Sequence, residues 1–76
     1  MSKLGAHIRW HRSRSGLTQA ELADLAGVGK TAVFDIEHGK STVQLDTLHR
    51  ICRALNMTLR LESPLMDQCR KEVERA

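Results

Sequence analysis

Aromatic side chains are nearly missing from this sequence: they make up 3% of its 76 residues, as Trp10 and Phe34, with no tyrosine. Sandwiches and barrels usually carry more aromatic and β-branched residues. The 41% hydrophobic fraction, mostly Leu, Ile, Val and Ala, therefore leans toward a helical core. Cysteine is scarce too. Cys52 and Cys69 stand far apart without metal-ligand spacing, which fits a reduced, cytosolic protein. Cys52 falls on an apolar helix face, where a thiol behaves as a small hydrophobe. No apolar run is long enough to span a bilayer, and no signal-peptide pattern opens the sequence. A soluble intracellular protein is expected.

Acidic residues are absent from residues 1–16, which hold Lys3, Arg9, Arg12 and Arg14 together with His7 and His11. The formal net charge is only +3, so the distribution says more than the sum. A basic face on a small domain attracts nucleic acid or another polyanion; the alternative is a solvated basic helix. A chain of 76 residues makes one domain at most. It buries a smaller share of its surface than a large domain does, so dimerisation would help it.

Periodicity supplies the elements. Leu4 and Ile8 are four apart, and Arg12 and Ser15 continue their face, giving a first helix over about 3–15 with Gly16 as a left-handed cap. Thr18-Gln19-Ala20-Glu21 is a capping box that opens a second helix, about 18–26, burying Leu22, Ala23 and Ala26. Gly27-Val28-Gly29 interrupts it. A third helix runs over about 30–38 with Val33 and Ile36 inward, ended by Gly39. The fourth, about 45–55, has the clearest repeat, with Leu45, Leu48, Ile51, Cys52 and Leu55 on one side and Asn56 as its cap. Beyond Asn56 the period falls to 2. Met57, Leu59 and Leu61 alternate with Thr58, Arg60 and Glu62, as in a half-buried strand over about 57–62. A lone strand leaves its backbone groups unpaired, so pairing with its copy across a two-fold axis is the economical solution. A fifth short helix is the competing reading, since Leu, Met and Arg favour helices. Residues 1–62 thus form the main domain, with the expected pairing segment at its end. Residues 63–76, opening on Ser63-Pro64 with Leu65, Met66, Cys69 and Val73 at helical spacing, are a short helix or a frayed tail.

A capped helix, a three-residue glycine-containing turn and a second short helix make the helix-turn-helix layout. That layout lets the second helix enter a major groove. Particular residues strengthen it: Leu4-Gly5, Ile8, Arg12, Gly16-Leu17-Thr18-Gln19, Glu21-Leu22-Ala23, Ala26-Gly27-Val28, Val33, Ile36-Glu37, Gly39-Lys40, and Leu45 through Leu55. On these the chain resembles the XRE or Cro/repressor-like helix-turn-helix family. The resemblance implies that Gln19, with Thr18, meets DNA phosphate at the start of the second helix. It implies that Arg12 and Glu37 form an internal ion pair. It also places Lys30, Thr31, Phe34 and Asp35 against base edges, and His38, Lys40 and Ser41 against the backbone.

Departures from the pattern leave alternatives open. Phe34 stands where a small or polar residue is usual; it presses on a thymine methyl or folds back onto the domain or a dimer contact. Asp35 accepts from a cytosine amino group or bonds a nearby Lys or Arg. Gly29 removes a polar side chain often found there. Trp10, off the Leu4–Ile8 face, is a partner contact or covers the C-terminal strand.

The helix that runs directly into the alternating Met57-Thr58-Leu59-Arg60-Leu61 segment resembles the HipB-type antitoxins, which pair such strands across a homodimer. That resemblance implies autorepression at a pseudo-palindromic operator, a HipA-type kinase toxin as partner, and a cytoplasmic, nucleoid-associated location in a bacterial cell. A stand-alone phage-type repressor is the runner-up, and an RNA- or protein-interaction module comes third. An enzyme is the weakest reading: His7, His11, His38 and His49 show no metal spacing with acids or cysteines, and no Ser or Cys has a placed base. No catalytic residue, metal or cofactor is expected.

Overall fold

A computed structural model describes residues 2–75, so the ends of the two expected spans, Met1 and Ala76, lie outside the described residues. Five helices follow in order: α1 (Ser2–Arg14), α2 (Gln19–Ala26), α3 (Lys30–Glu37), α4 (Leu45–Ala54) and α5 (Met66–Glu74). Local chemistry sets the boundaries. Thr18 Oγ1 accepts from the Glu21 amide at 3.1 Å, while the Thr18 amide donates to Glu21 Oε1 at 2.8 Å. Two first-turn donors are thereby satisfied. The Thr18 amide also holds the Glu21 carboxyl below its ordinary range. At the other end of α2, Gly27 adopts φ 72°, a left-handed conformation open to Gly without a Cβ penalty. The Val28 amide then reaches back to the Ala23 carbonyl at 3.0 Å, and the chain turns into α3 after one more residue.

The core consists of Ile8 from α1, Leu22, Ala23 and Ala26 from α2, Val33 and Ile36 from α3, and Leu48, Ile51, Cys52 and Leu55 from α4 and its end. Leu4, Leu17, Val28, Ala54 and Met57 pack around it. Helix α2 lies against both α3 and α4, and α1 lies against α3. Burial pushes the Cys52 thiol pKa up, as expected for a thiol used as a core hydrophobe.

The C-terminal third departs from the expectation in two ways. Residues 57–62 form no strand, and among the described residues no backbone–backbone hydrogen bond involves residues 58–62. The reason is one of counting: a single strand has no ladder partner within its own chain, so a ladder here needs a second chain. After this segment α5 is helical, which settles the choice between helix and frayed tail. It has no buried residue; Arg70 ties it back by donating to the Leu61 carbonyl at 3.1 Å and to Glu62 Oε1 at 3.4 Å. Leu45 is the second departure. It opens α4 on the apolar repeat yet stays 74% exposed, one turn before the buried Leu48. No described helix is long and apolar enough to cross a membrane.

Candidate nucleic-acid interface

Helix α3 is short, and its two faces differ sharply. Val33 and Ile36 are buried, while Lys30, Thr31 and Phe34 are exposed and Asp35 is half-buried. The exposed set starts at the N-terminus, where Gly29 caps the helix without any side-chain hydrogen bond. The first turn of α3 is therefore unobstructed by its own cap. Asp35, the one acid on this side, lies 3.5 Å from Lys40 Nζ. That pairing lessens the repulsion a bare carboxylate would exert on a polyanion. Phe34 neither inserts into the core nor stands alone: its ring stacks on the His38 imidazole at 3.9 Å and 21°. His38 Nδ1 lies 2.8 Å from the Phe34 carbonyl, so ring and imidazole form a fixed ledge at the end of the exposed face. Ser41 and Lys40 follow, exposed, in the next loop.

Behind this face a network of three side chains and one backbone carbonyl holds α3 to α1 and α2. Arg12 Nε donates to Glu37 Oε2 at 2.6 Å, Arg12 Nη2 to Glu37 Oε1 at 3.0 Å, and Arg12 Nη1 to the Leu17 carbonyl at 2.8 Å. Gln19 Nε2 donates to Glu37 Oε1 at 3.2 Å. The Glu37 side chain is 1% exposed and that of Arg12 15%. Burial alone would raise the Glu37 carboxyl. The Arg12 and Gln19 hydrogen bonds, with the charges of Arg12 and Arg9, outweigh it and hold the pKa below the ordinary value. Arg12 is shifted upward by the same hydrogen bonding to Glu37. One carboxylate thus joins α1, the first residue of α2 and the last residue of α3.

The network assigns Gln19 a task that the residue pattern did not suggest. Its amide is spent partly on Glu37, while the backbone amides of Gln19 and Ala20, the first two of α2, have no intrahelical acceptor. Gln19→Ala should therefore lower stability by about 1 kcal/mol, the usual net worth of one hydrogen bond, read as a shift in the urea midpoint. An unchanged midpoint would show that the Glu37 contact carries nothing.

One further feature went unseen in the sequence. Gly5 is buried against the end of α3: a Cβ there would meet the Ile36 carbonyl oxygen at 2.3 Å and that of Glu37 at 2.9 Å. A glycine at an ordinary helical position gave no signal of this, since close approach is a property of two segments. Trp10 remains exposed on α1; the Arg14 guanidinium sits 4.6 Å from its ring centre and His11 lies edge-on at 5.0 Å. Among the described residues no group of three or more His, Cys, Asp or Glu could hold a metal.

Comparison with known proteins agrees with this architecture. The helix-turn-helix domain family matches residues 3–65. An HTH-type transcriptional regulator of Methanothermobacter thermautotrophicus is 46% identical over 48 residues, covering 63% of this chain and 70% of that protein. The HTH-type transcriptional regulator y4mF of Sinorhizobium fredii is 34% identical over 61 residues, 80% of each chain. Control protein C.SmaI of Serratia marcescens is 30% identical over 56 residues, 74% of this chain and 67% of that one.

Proposed function

The chain belongs to the XRE-type helix-turn-helix family of DNA-binding transcriptional regulators, and from that premise we propose that it is a sequence-specific repressor that reads duplex DNA with α3. The observation that carries this reading is the solvent-facing side of α3. Lys30 and Thr31 are exposed in its uncapped first turn, above a buried ion pair that fixes the helix against α1. Lys30, Thr31, Phe34 and Asp35 address base edges. Thr18, Gln19, His38, Lys40 and Ser41 address the sugar-phosphate backbone, helped by the open amides at the start of α2.

Lys30→Ala and Thr31→Ala should each weaken binding to the cognate operator by about 1–3 kcal/mol, the worth of one good base contact, while leaving helicity and melting unchanged. Fluorescence anisotropy on operator and scrambled duplexes separates specific loss from general loss. Wild-type affinity in both variants would remove α3 from the reading role.

As a finer reading, the protein acts as a homodimer and as the antitoxin of a HipBA-like operon. It would repress its own promoter through a pseudo-palindrome with half-sites about one helical turn apart, and it would bind a HipA-type kinase toxin. The period-2 segment Met57–Leu61 supports strand pairing between copies, and exposed Trp10 offers a surface for the toxin. Leu59→Pro removes a ladder donor and should convert dimer to monomer. Mild affinity purification from the native cell decides between the two regulator readings. A stoichiometric kinase-like partner supports the antitoxin, whereas recovery of only DNA and the protein's own copy favours the stand-alone repressor.

A further inference from the structure

Helix α1 carries cations that no carboxylate answers. Lys3 and Arg14 enter none of the ion pairs formed among the described residues, and residues 1–16 contain no acid. Lys3, His7, Trp10 and Arg14 are all exposed. Their spacing of four, three and four residues sets them in one stripe about 16 Å long. Trp10 lies about 150° around the helix from Gly5 and Arg12, the residues that meet the end of α3. The stripe thus points away from α3. Its ring is already held: the Arg14 guanidinium sits 4.6 Å from the ring centre, and His11 stands edge-on at 5.0 Å. His11 is itself steadied by the His7 carbonyl, 2.7 Å from its Nδ1. Even so Trp10 stays 55% exposed. A side chain ordered in advance loses less entropy on binding.

We infer that this stripe docks an acidic amphipathic helix of a partner protein. The inference rests on the reading of Trp10 as a partner contact and specifies the chemistry of that partner. It does not depend on the partner being a kinase. Charge complementarity selects the acid, since exposed cations in a row without an acid among them attract carboxylates and reject bases. Spacing selects the helix. Four-three-four is the seam along which two helices run side by side. An apolar residue of the partner covers Trp10, and carboxylates about one turn to either side meet His7 and Lys3 in one direction and Arg14 in the other. Trp and Arg are also the residues that dominate protein contacts.

Other occupants fit less well. Single-stranded nucleic acid is held by aromatic platforms that stack successive bases, whereas the stripe offers one indole with Arg14 already over it. The exposed helix α5 of a second copy carries Arg70 and Lys71 among its acids, and would bring cations against cations. Trp10 is the only tryptophan in the sequence, so its fluorescence reports this surface directly. The probes are four. The first is a synthetic peptide of about 18 residues, long enough to hold a helix, with leucine and glutamate at the positions that oppose the stripe. The others are a scrambled peptide of the same composition, a twin with lysine for each glutamate, and a single-stranded oligothymidine.

Titrated into the full chain, the acidic helical peptide should shift Trp10 emission to shorter wavelength and saturate, with an affinity that falls as salt rises. The lysine twin should leave the emission unmoved. By anisotropy of the labelled peptide, Lys3→Gln and Arg14→Gln together should weaken binding about five- to tenfold, and Trp10→Ala at least about tenfold. Arg53→Gln, exposed on α4 and outside the stripe, removes one positive charge as well and should have no effect. All of these variants should keep the wild-type circular dichroism. A loss in Arg53→Gln as large as that in the double variant reduces the attraction to net charge and overturns the stripe. Equal binding of the scrambled peptide overturns the helical spacing, and tighter binding of oligothymidine overturns the protein partner in favour of single-stranded nucleic acid. Acidic-peptide binding with no kinase recovered from the native cell sinks the antitoxin reading and leaves the stripe standing. If no probe moves Trp10, the stripe is overturned even where a kinase is recovered.

Discussion

Gly5→Ala lowers the thermal midpoint, although alanine is the better helix former. Relative to glycine, alanine in a helix interior gains about 1 kcal/mol, and a surface position would show that gain. At Gly5 the new methyl falls 2.3 Å from the Ile36 carbonyl oxygen and 2.9 Å from that of Glu37. Both obstacles are backbone atoms, which cannot swing aside as a side chain would. Helix α1 has to move off α3, and the move stretches the Arg12–Glu37 contact, now 2.6 Å long. Overpacking of this kind typically costs 1–3 kcal/mol and occasionally more, so a net loss of about 2 kcal/mol is expected. For a domain of this size that corresponds to a fall of about 8–16 °C, measured by circular dichroism at one fixed protein concentration, since a dimer melts later when concentrated. A midpoint at or above wild type would mean that α1 and α3 are not held at this separation.

Glu37→Gln is the second large effect, with a pH signature of its own. The substitution keeps the shape and removes the charge, leaving Arg12, 15% exposed, without its counter-ion. Removing one partner of a buried pair costs about 3 kcal/mol or more, a large part of the stability of a small domain. The pH dependence follows from the lowered Glu37 pKa. On acidification the unfolded chain takes up its proton first, near the ordinary value of 4.5, while the folded chain still holds the carboxylate ionised. The stabilisation is thus fully present above that value and is lost as pH falls below it through the folded pKa. Urea midpoints measured from neutral pH down to the acid limb should fall less steeply in Glu37→Gln than in wild type. Parallel curves would remove Glu37 from the acid response. Replacing Arg12 and Glu37 together by methionine should cost much less than the two single changes added, because neither charge is then stranded.

The two variants act on the same joint, and the joint separates what a linear reading reaches from what it does not. Helix limits were legible because they are written locally. A Thr18–Glu21 capping box and a left-handed Gly27 act within a few residues, whatever the rest of the chain does. The core was legible for a related reason. Ile8, Leu22, Val33, Ile36, Leu48 and Ile51 are buried, and each lies on a face that helical spacing alone defines. The candidate reading face of α3 was legible as the complement of Val33 and Ile36.

Positions defined by two segments at once were not legible. Gly5 looks like any glycine in a helix until α3 is placed against it. Gln19 looks like a residue free to reach outward until the end of α3 brings Glu37 to it. Leu45 shares the period of Leu48 but not its burial, because period says which side a residue faces and not whether anything covers that side. Phe34 found a stacking partner in His38 one turn later, a choice its side-chain type left open.

By itself, then, the sequence determined the first four helices, the apolar face of each and the family to which the chain belongs, because capping, propensity and periodicity are short-range and survive in any context, whereas the fate of residues 57–74 was decided by the structure. Only the tertiary structure decided how closely α1 approaches α3, which residues share the Glu37 carboxylate, and which leucines remain uncovered. Those depend on distances between segments far apart in the chain, and such distances exist only once packing has set them.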